Sequence, residues 1–426
     1  MGLGQGSASR MNKKLNCLAA LIALLVPVSL HADEKRPNII FIMADDLGNA
    51  DLGYRGGQIA TPNIDNLAQS GVRLEGFYGQ QVCTPARAAL MTGRYPMRYG
   101  LQTLVIFPSH TYGLPTDERT LPQALKEAGY KTLMTGKWHL GHADTKLWPQ
   151  NRGFDYFYGN VMGEVNYFTR ERGGVIDWQR NGRIVTELDK KGLRDNTIIL
   201  FASDNGGATS GLFASGSKSK EERDTEEGGI EQGAKAPASN TPFRGGKGGL
   251  YEGGVRVPAF VNWPGKLKPR VVNAPVHMVD VMPTLLALAG AKGSADHPFD
   301  GKDMWKTLAD GGPSPNEDVL INVEAFRGAV RKGDWKLGKV ALLPGKTELF
   351  NLAKDPGETT NVAEHNPKVV HDLETRLLAY AKQQKMSEWI KAQPAFVGAQ
   401  GKTVLDPDFD IDDGGLPHEK LNLPAR

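Results

Sequence analysis

Two apolar runs in this chain end in the same way, and that shared ending constrains the fold more than any other feature of the sequence. Residues 39–44 and 198–202 are continuous apolar stretches with the length of a strand that is buried on both faces. The polar residues that follow are Asp45 and Asp46 in the first case and, after Ser203, Asp204 and Asn205 in the second. Parallel strands present their carboxyl ends at one edge of a sheet, where α/β folds bind ligands. The four polar side chains are therefore predicted to converge at that edge.

The chemistry of these four side chains favours a divalent cation. Three carboxylates and one amide carbonyl, with no thiolate, suit a hard ion such as Ca²⁺ or Mg²⁺. The alternative is that each pair merely caps the next helix or forms an Asx turn. Either pair alone would favour that alternative, whereas two such pairs at two strand ends favour a metal site. Its predicted ligands are Asp45, Asp46, Asp204 and Asn205.

The rest of the pattern is typical of an α/β protein. Helix start signals at Thr61-Pro62 and Thr84-Pro85 alternate with strand-like runs at about 131–135 and 197–202. We therefore predict a mixed or mostly parallel sheet flanked by helices. The segment 211–239 is rich in Gly, Ser, Lys and Glu, and it is predicted to be an exposed, mobile loop.

A change of composition near residues 311–315, which read Gly-Gly-Pro-Ser-Pro, indicates a domain boundary. Beyond it, short strand-like pieces between 319 and 352 lead to a helix that begins after Asn366. We predict a main domain over 33–312. A smaller α+β domain, made of a short antiparallel sheet and a helix, is predicted over 313–426.

The N-terminal residues predict export. Lys13 and Lys14 precede an apolar run over 18–28, and a plausible cleavage point follows Ala32, so residues 1–32 are predicted to be a signal peptide. The alternative is a buried N-terminal helix. The apolar run is too short to span a bilayer. The mature chain is therefore expected to be periplasmic or secreted, with no membrane span.

Cys83 is the one cysteine that remains once this leader is removed, so the mature chain cannot form an internal disulfide. It stands just before Thr84-Pro85, outside the N-terminus of a predicted helix, where unpaired amides and the helix dipole favour an anion. Arg87 follows one turn further along the same helix face. Cys83 is therefore either a small buried apolar residue or a nucleophile that faces a negatively charged substrate.

Several motifs of this chain resemble the type I sulfatases and occur in that family's order. The string Cys83-Thr84-Pro85-Ala86-Arg87, followed by Met91-Thr92-Gly93-Arg94, is similar to the family signature. The other similar segments are 45–48, 136–141, 203–206, 241–247, 277–280 and 348–352. The resemblance covers nearly all of the chain after the leader, and the arylsulfatase branch is the most similar. It implies an alkaline-phosphatase-like fold, with 33–312 as the catalytic domain, and hydrolysis of sulfate esters.

The resemblance also implies a role for each site residue. In this family a maturation enzyme oxidises the cysteine to formylglycine, whose hydrate attacks sulfur and carries the sulfate covalently. Cys83 would become this formylglycine and join the oxygen ligands around Ca²⁺, or alternatively Mg²⁺. Arg87, Lys137 and His139 would contact the modified residue, with His139 as the base that expels sulfate. Lys247 would hold the sulfate oxygens. The implied substrate is a sulfated small molecule or a sulfated glycan.

The chain departs from the family after Gly182, where relatives normally have several dozen further residues. In relatives that region holds a helix, a core strand, and a histidine that contacts the sulfate. No histidine occurs here between His142 and His277. We therefore predict the loss of one sheet strand and of one leaving-group acid. His277 is interpreted as a capping residue outside the site, and it becomes the first residue to examine as a substitute acid only if the segment proves dispensable.

Three functions remain open on the sequence. A sulfate-ester hydrolase is favoured. A phosphodiester or phosphonate monoester hydrolase of the same superfamily is the second, and a catalytically impaired glycan- or metal-binding remnant is the third. Nucleic acid is not an expected partner, because 51 basic and 48 acidic residues balance to a net charge of +3.

Overall fold

A computed structural model describes residues 36–166, 170–172, 175–184, 197–209, 238–340 and 345–392. The predicted leader and nearly all of the predicted loop 211–239 lie outside these residues. Within them, no helix has the length and apolar character that crossing a bilayer requires.

The strands, in chain order, are β1 (Asn38–Ala44), β2 (Val72–Leu74), β3 (Phe77–Tyr78), β4 (Leu133–Thr135), β5 (Tyr156–Gly159), β6 (Glu171–Arg172), β7 (Val175–Ile176), β8 (Gln179–Arg180), β9 (Arg183–Ile184), β10 (Thr197–Ser203), β11 (Ala259–Asn262), β12 (Arg270–Val272), β13 (Val276–His277), β14 (Val319–Val323), β15 (Arg327–Lys332), β16 (Trp335–Val340) and β17 (Lys346–Asn351). The α-helices are α1 (Pro62–Gln69), α2 (Cys83–Thr92), α3 (Leu121–Glu127), α4 (Glu252–Val255), α5 (Val281–Ala289), α6 (Trp305–Asp310), α7 (Pro367–Ala381) and α8 (Glu388–Lys391). Short 3₁₀ helices lie at Gly53–Arg55, Pro96–Arg98, Thr145–Leu147, Pro149–Arg152 and Met278–Asp280.

The central sheet has five strands in the order β1-β10-β11-β2-β12. β1 runs parallel to β10, and β12 runs parallel to β2, whereas β11 is antiparallel to both of its neighbours. The sheet is therefore mixed, which confirms the first of the two predicted arrangements. In the register of β1 and β10, Ala44 lies opposite Ser203. The polar residues after both strands consequently emerge at the same edge.

β10 shows how the alternating faces of this sheet are covered. Ile198, Leu200 and Ala202 belong to the main hydrophobic core, together with residues of α2, α3 and α5. Phe201, on the other face, stacks on Phe260 and lies in a second cluster with α1. Because successive side chains of a strand point to opposite faces, helices on both sides of the sheet bury all of β10.

β1 differs from the prediction of burial on both faces. Ile40 and Ile42 are 41% and 42% exposed, while Phe41 on the opposite face packs against the main core. β1 is the edge strand of the sheet, so within the described residues it has a neighbouring strand on one side only. The face of β1 that carries Ile40 and Ile42 is incompletely covered, so these two side chains meet solvent.

The C-terminal part contains an antiparallel sheet in the order β14-β15-β16-β17, and α7 packs against it through Leu373 and Leu377. This arrangement is the predicted short antiparallel sheet with one helix. The described residues from Pro37 onward belong to one compact unit, so the domain boundary near residue 312 stays a prediction.

A buried ion cluster joins this sheet to the rest of the chain. Lys336 of β16 is 1% exposed, and its Nζ lies 2.8 Å from Glu252 Oε1 and 3.0 Å from Glu358 Oε1. Glu358 also accepts the backbone N–H of Glu252 at 2.6 Å. Since all three charges are out of water, removing Lys336 leaves Glu358 without its cation and leaves Glu252 with Arg256, whose Nη1 lies 3.3 Å away.

We expect Lys336→Ala to lower the free energy of unfolding by about 3–5 kcal/mol, because buried Glu358 loses its cation and buried Glu252 loses one of its two cation partners. Urea unfolding followed by circular dichroism measures this change. Lys332→Ala on β15 is the control, because Lys332 pairs with exposed Asp372 at 2.9 Å, and its loss should cost less than about 1 kcal/mol. Equal losses in the two variants would contradict the structural importance of the buried cluster.

Candidate active site

The two polar pairs that follow β1 and β10 meet at the sheet edge. The backbone N–H of Asp46 donates to Asp204 Oδ1 at 3.2 Å, and Asn205 Nδ2 donates to Asp46 Oδ1 at 2.8 Å. Asp46 adopts a positive φ of 58°, which turns the chain sharply after the strand. The structure thus brings together the four side chains that the sequence predicted to converge.

Cys83 lies beside this group. It is the first residue of α2, rather than a residue outside the helix as predicted, and it is 2% exposed. Its Sγ is 3.3 Å from Lys137 Nζ and 3.7 Å from Asp45 Oδ1. Burial raises the pKa of the Cys83 thiol to about 12, and Lys137 only partly opposes this effect. An unmodified Cys83 is therefore a neutral thiol at ordinary pH.

Two cations partly neutralise the carboxylates. Arg87 Nη2 lies 3.3 Å from Asp45 Oδ1 and 3.4 Å from Asp204 Oδ2, and Lys137 Nζ lies 2.9 Å from Asp45. Burial alone would raise the pKa of Asp45, but Lys137 and Arg87 outweigh it and hold that pKa well below the ordinary value. Burial, together with the charge of Asp45, raises the pKa of Asp204 to about 7.

Lys247 reaches the site from a glycine-rich loop far along the chain. Its Nζ lies 2.5 Å from Asp46 Oδ2. The loop can come this close because Gly206 and Gly253 touch, and a Cβ on Gly206 would lie 1.8 Å from the Gly253 carbonyl oxygen. Lys247 and Lys137 thus both place positive charge near Cys83.

His139 is placed differently from the other predicted residues. It is 3% exposed, its Nε2 lies 3.0 Å from the carbonyl oxygen of Ile106, and its Nδ1 has no hydrogen-bond partner in the described structure. The backbone carbonyl oxygen of His139 accepts a hydrogen bond from Thr84 Oγ1 at 3.1 Å. This bond connects His139 to α2, the helix that begins with Cys83. Burial, aided by the charges of Lys137 and Arg87, holds the pKa of His139 well below its usual range, so the ring is neutral.

Gly163 is a further residue of this site, and its role could not be predicted from the sequence. A Cβ there would lie 2.3 Å from Cε1 of His139, so only glycine allows the imidazole to occupy its position. No motif signals this contact, because the two residues are brought together by the hydrogen bond from His139 N–H to the Val161 carbonyl, at 3.1 Å.

His277 is not placed to act as a substitute acid. It is fully buried, its Nδ1 accepts the Val279 N–H at 3.1 Å, and its Nε2 lies 2.9 Å from Gln80 Nε2. Burial lowers its pKa to about 3. A neutral ring with both nitrogens engaged is a structural residue, here the N-cap of the 3₁₀ helix Met278–Asp280.

The residues at the sheet edge fit a divalent cation. Asp45, Cys83 and Asp204 each offer one ligand atom, and these three atoms lie within 4.8 Å of one another. Asn205 Oδ1 is buried and has no hydrogen-bond partner in the described structure, which is unusual for an amide oxygen unless a cation takes that place. The donor set is dominated by oxygen, as Ca²⁺ and Mg²⁺ require.

Comparison with known proteins agrees with this geometry. The sulfatase family profile matches residues 37–177 and 181–291, and a profile described as N-sulphoglucosamine sulphohydrolase, C-terminal, matches residues 246–383. The chain is 29% identical to mouse Arylsulfatase J over 483 aligned residues, covering 82% of this chain and 77% of that protein. It is 28% identical to human Arylsulfatase A over 470, covering 82% and 88%.

Solved structures point the same way. The crystal structure of Ps i-CgsB superposes with a TM-score of 0.70 at 26% identity, covering 83% of this chain and 95% of that one. The same protein has been solved in complex with k-i-k-neocarrahexaose, at 27% identity. The chain described here belongs to the sulfatase family. Its relatives are arylsulfatases and steryl-sulfatases, and its reaction is the hydrolysis of sulfate esters.

The buried thiol gives a prediction about reactivity. At pH 8, a thiol with a pKa of about 12 is ionised about a thousandfold less than one at the ordinary 9.0. In protein with unmodified Cys83 and a Cys17→Ser change, iodoacetamide should therefore alkylate Cys83 at least about a hundredfold more slowly in buffer than in urea. Equal rates, measured by mass spectrometry, would show that the thiol is accessible and ionised.

Proposed function

We propose that this chain is a periplasmic or secreted arylsulfatase that hydrolyses a sulfated small molecule or glycan through a formylglycine made from Cys83. The observation that carries the proposal is the position of Cys83. It is buried at the first residue of α2, 3.3 Å from Lys137 Nζ, beside a carboxylate group that fits a cation. This position suits a covalent nucleophile that meets an anionic ester.

Formylglycine would supply an oxygen nucleophile that can hold the sulfate covalently, and the cation would polarise the sulfate. The cation would be held by Asp45, Asp46, Asp204 and Asn205, with residue 83 beside them. We propose Ca²⁺, with Mg²⁺ as the alternative. Cys83 requires a maturation enzyme for its oxidation, which is therefore a proposed partner.

The chain's own cations prepare the site for a negatively charged ester. Lys137 Nζ and Lys247 Nζ approach the reacting position from different segments, and each can donate to sulfate oxygens. Arg87 is held in place by the Lys137 carbonyl, which accepts from Nη1 at 2.6 Å. The guanidinium therefore stays fixed while charge develops on the atoms around residue 83.

His139 is the proposed proton acceptor. Its ring is neutral because its pKa lies below the usual range, and Nδ1 is the nitrogen without a partner in the described structure. Nε2 is oriented by the Ile106 carbonyl, which fixes the proton on that nitrogen. Nδ1 is then the atom that can take a proton when sulfate is expelled.

The relatives support the substrate class. A protein that this chain resembles at 27% identity has been solved in complex with k-i-k-neocarrahexaose, a carbohydrate. We propose that the present chain takes a sulfated glycan or a smaller sulfate ester at the same edge of the sheet.

We also propose that this chain lacks a segment after Gly182 and that the absence of this segment lowers its activity. Two observations support a real gap. The exposed Ile40 and Ile42 of β1 leave a surface that a further strand or helix would cover, and the alignment with mouse Arylsulfatase J extends over more positions than this chain has residues. The β8–β9 hairpin, turned by Asn181-Gly182 with positive φ at both residues, is complete at Ile184.

Mass spectrometry and an activity assay can test the proposed modification of Cys83 and the reaction together. Protein made beside an active maturation enzyme should carry an aldehyde in place of the Cys83 thiol, seen in the mass of its tryptic peptide. The same preparation should hydrolyse an aryl sulfate faster than an aryl phosphodiester. Cys83→Ala is the matched control and should be inactive on both. An unmodified thiol with a working maturation enzyme would contradict the proposal, and faster phosphodiester turnover would favour the second function.

Chelation and a variant of Asp204 can test the proposed metal site. Chelation should abolish hydrolysis, and Ca²⁺ or Mg²⁺ should restore it, because the donors are oxygen atoms. Asp204→Ala should remove bound metal, measured by elemental analysis, while circular dichroism still shows a folded chain. Asp144→Ala, a change on the surface, should leave metal content unaltered. Full metal content in Asp204→Ala would remove Asp204 from the ligand set.

A segment grafted from a relative can test the proposed effect of the gap. Grafting the corresponding segment of a relative after Ile184 should raise kcat by about two to three orders of magnitude, the usual value of a lost transition-state donor. It should also raise the melting temperature by covering Ile40 and Ile42. Rates and melting are compared after formylglycine is confirmed in both chains. Equal values would show that the segment is dispensable.

A further inference from the structure

The loop that carries Lys247, residues 244–251, is held by three separate parts of the molecule. The Lys247 N–H donates to the Gly207 carbonyl at 3.1 Å, and the Gly248 N–H donates to the Gln81 carbonyl at 2.7 Å. The Gly248 carbonyl accepts from Arg327 Nη1 at 2.8 Å. The first two contacts come from the loop after β10 and the residues before α2. The third comes from the C-terminal sheet.

The side chain of Arg327 is oriented by a second contact, with Glu324. Arg327 is the first residue of β15, and its Nε donates to Glu324 Oε1, on a side chain that is 5% exposed. A guanidinium presents its N–H groups in a rigid, planar fork. With Nε fixed by Glu324, Nη1 is aimed at the Gly248 carbonyl rather than at solvent.

The other end of the loop is anchored to the same C-terminal part. Arg244 Nη1 donates to the Glu358 carbonyl at 2.9 Å, and Tyr251 OH donates to Glu348 Oε2 at 2.7 Å. These contacts hold the ends of the loop. The Arg327 contact is different because it falls on the residue directly after Lys247.

We infer that Arg327 is a positioning residue for Lys247, through which the C-terminal sheet sets the position of a sulfate-holding ammonium. The inference rests on the proposed function, since it takes Lys247 to be the group that holds sulfate. Arg327 does not touch the reacting atoms. It fixes the peptide that follows Lys247, and the side chain then extends to within 2.5 Å of Asp46.

Arg327→Ala and Arg327→Lys are compared with Lys332→Ala, a control at the other end of the same strand. Arg327→Ala should lower kcat/KM for an aryl sulfate about tenfold, as expected for loss of a hydrogen bond from a charged group. Arg327→Lys keeps the charge without the fork and should recover part of the loss. Lys332→Ala should stay within about twofold of the unchanged protein.

A double-mutant cycle separates positioning from a general effect. If Arg327 acts through Lys247, Arg327→Ala should have little further effect on kcat/KM in a Lys247→Ala background. The same tenfold loss in both backgrounds would overturn the inference. Glu324→Gln weakens the orientation of the guanidinium but keeps its bond to the loop, so it should give a smaller loss of kcat/KM. This variant replaces Arg327→Ala in the test if Arg327→Ala folds poorly.

Hydrogen–deuterium exchange tests the inference without any activity. The amides of Lys247 and Gly248 should exchange faster in Arg327→Ala than in Lys332→Ala at matched melting temperature. Unchanged exchange would overturn the inference even if the chain hydrolyses sulfate esters. Faster exchange in a protein that shows no turnover would instead leave the positioning intact and count against the proposed function.

Discussion

Three carboxylates emerge at the joined ends of β1 and β10, and their mutual repulsion is the constraint on which the rest of the site depends. The parallel register fixes their proximity, since Ala44 lies opposite Ser203. The opposing cations come from separate places: Arg87 from α2, Lys137 from the segment after β4, and Lys247 from a loop after β10. An arrangement of this kind is balanced only when all these elements are in place.

Much of this arrangement could be predicted from the sequence because it rests on local patterns. The apolar runs at 39–44 and 198–202 became β1 and β10, and the helix expected after Asn366 became α7. The start signal at Thr84-Pro85 placed a helix within two residues of where it begins, at Cys83. Periodicity and capping are properties of neighbouring residues, so a single sequence reports them.

The remaining features depend on contacts between distant segments, which no local pattern reports. Burial of β1 on both faces was a wrong prediction, because an apolar run shows what a strand could bury and not what covers it. The position of Lys247 was suggested by family resemblance and not by spacing. Arg327 and Gly163 carry no motif, and each matters through one contact with a site residue.

The burial of Cys83 also bears on the order of events during synthesis. An enzyme can reach a side chain that is 2% exposed only before the chain has closed around it. The C-terminal sheet contributes to the fold around the Lys247 loop, because Lys336 of β16 pairs with Glu252 near the end of that loop. Lys336 lies more than half of the chain beyond Cys83, so this sheet is synthesised long after Cys83. The late position of the C-terminal sheet would give the proposed modification a time window, and a faster-folding variant would shorten it.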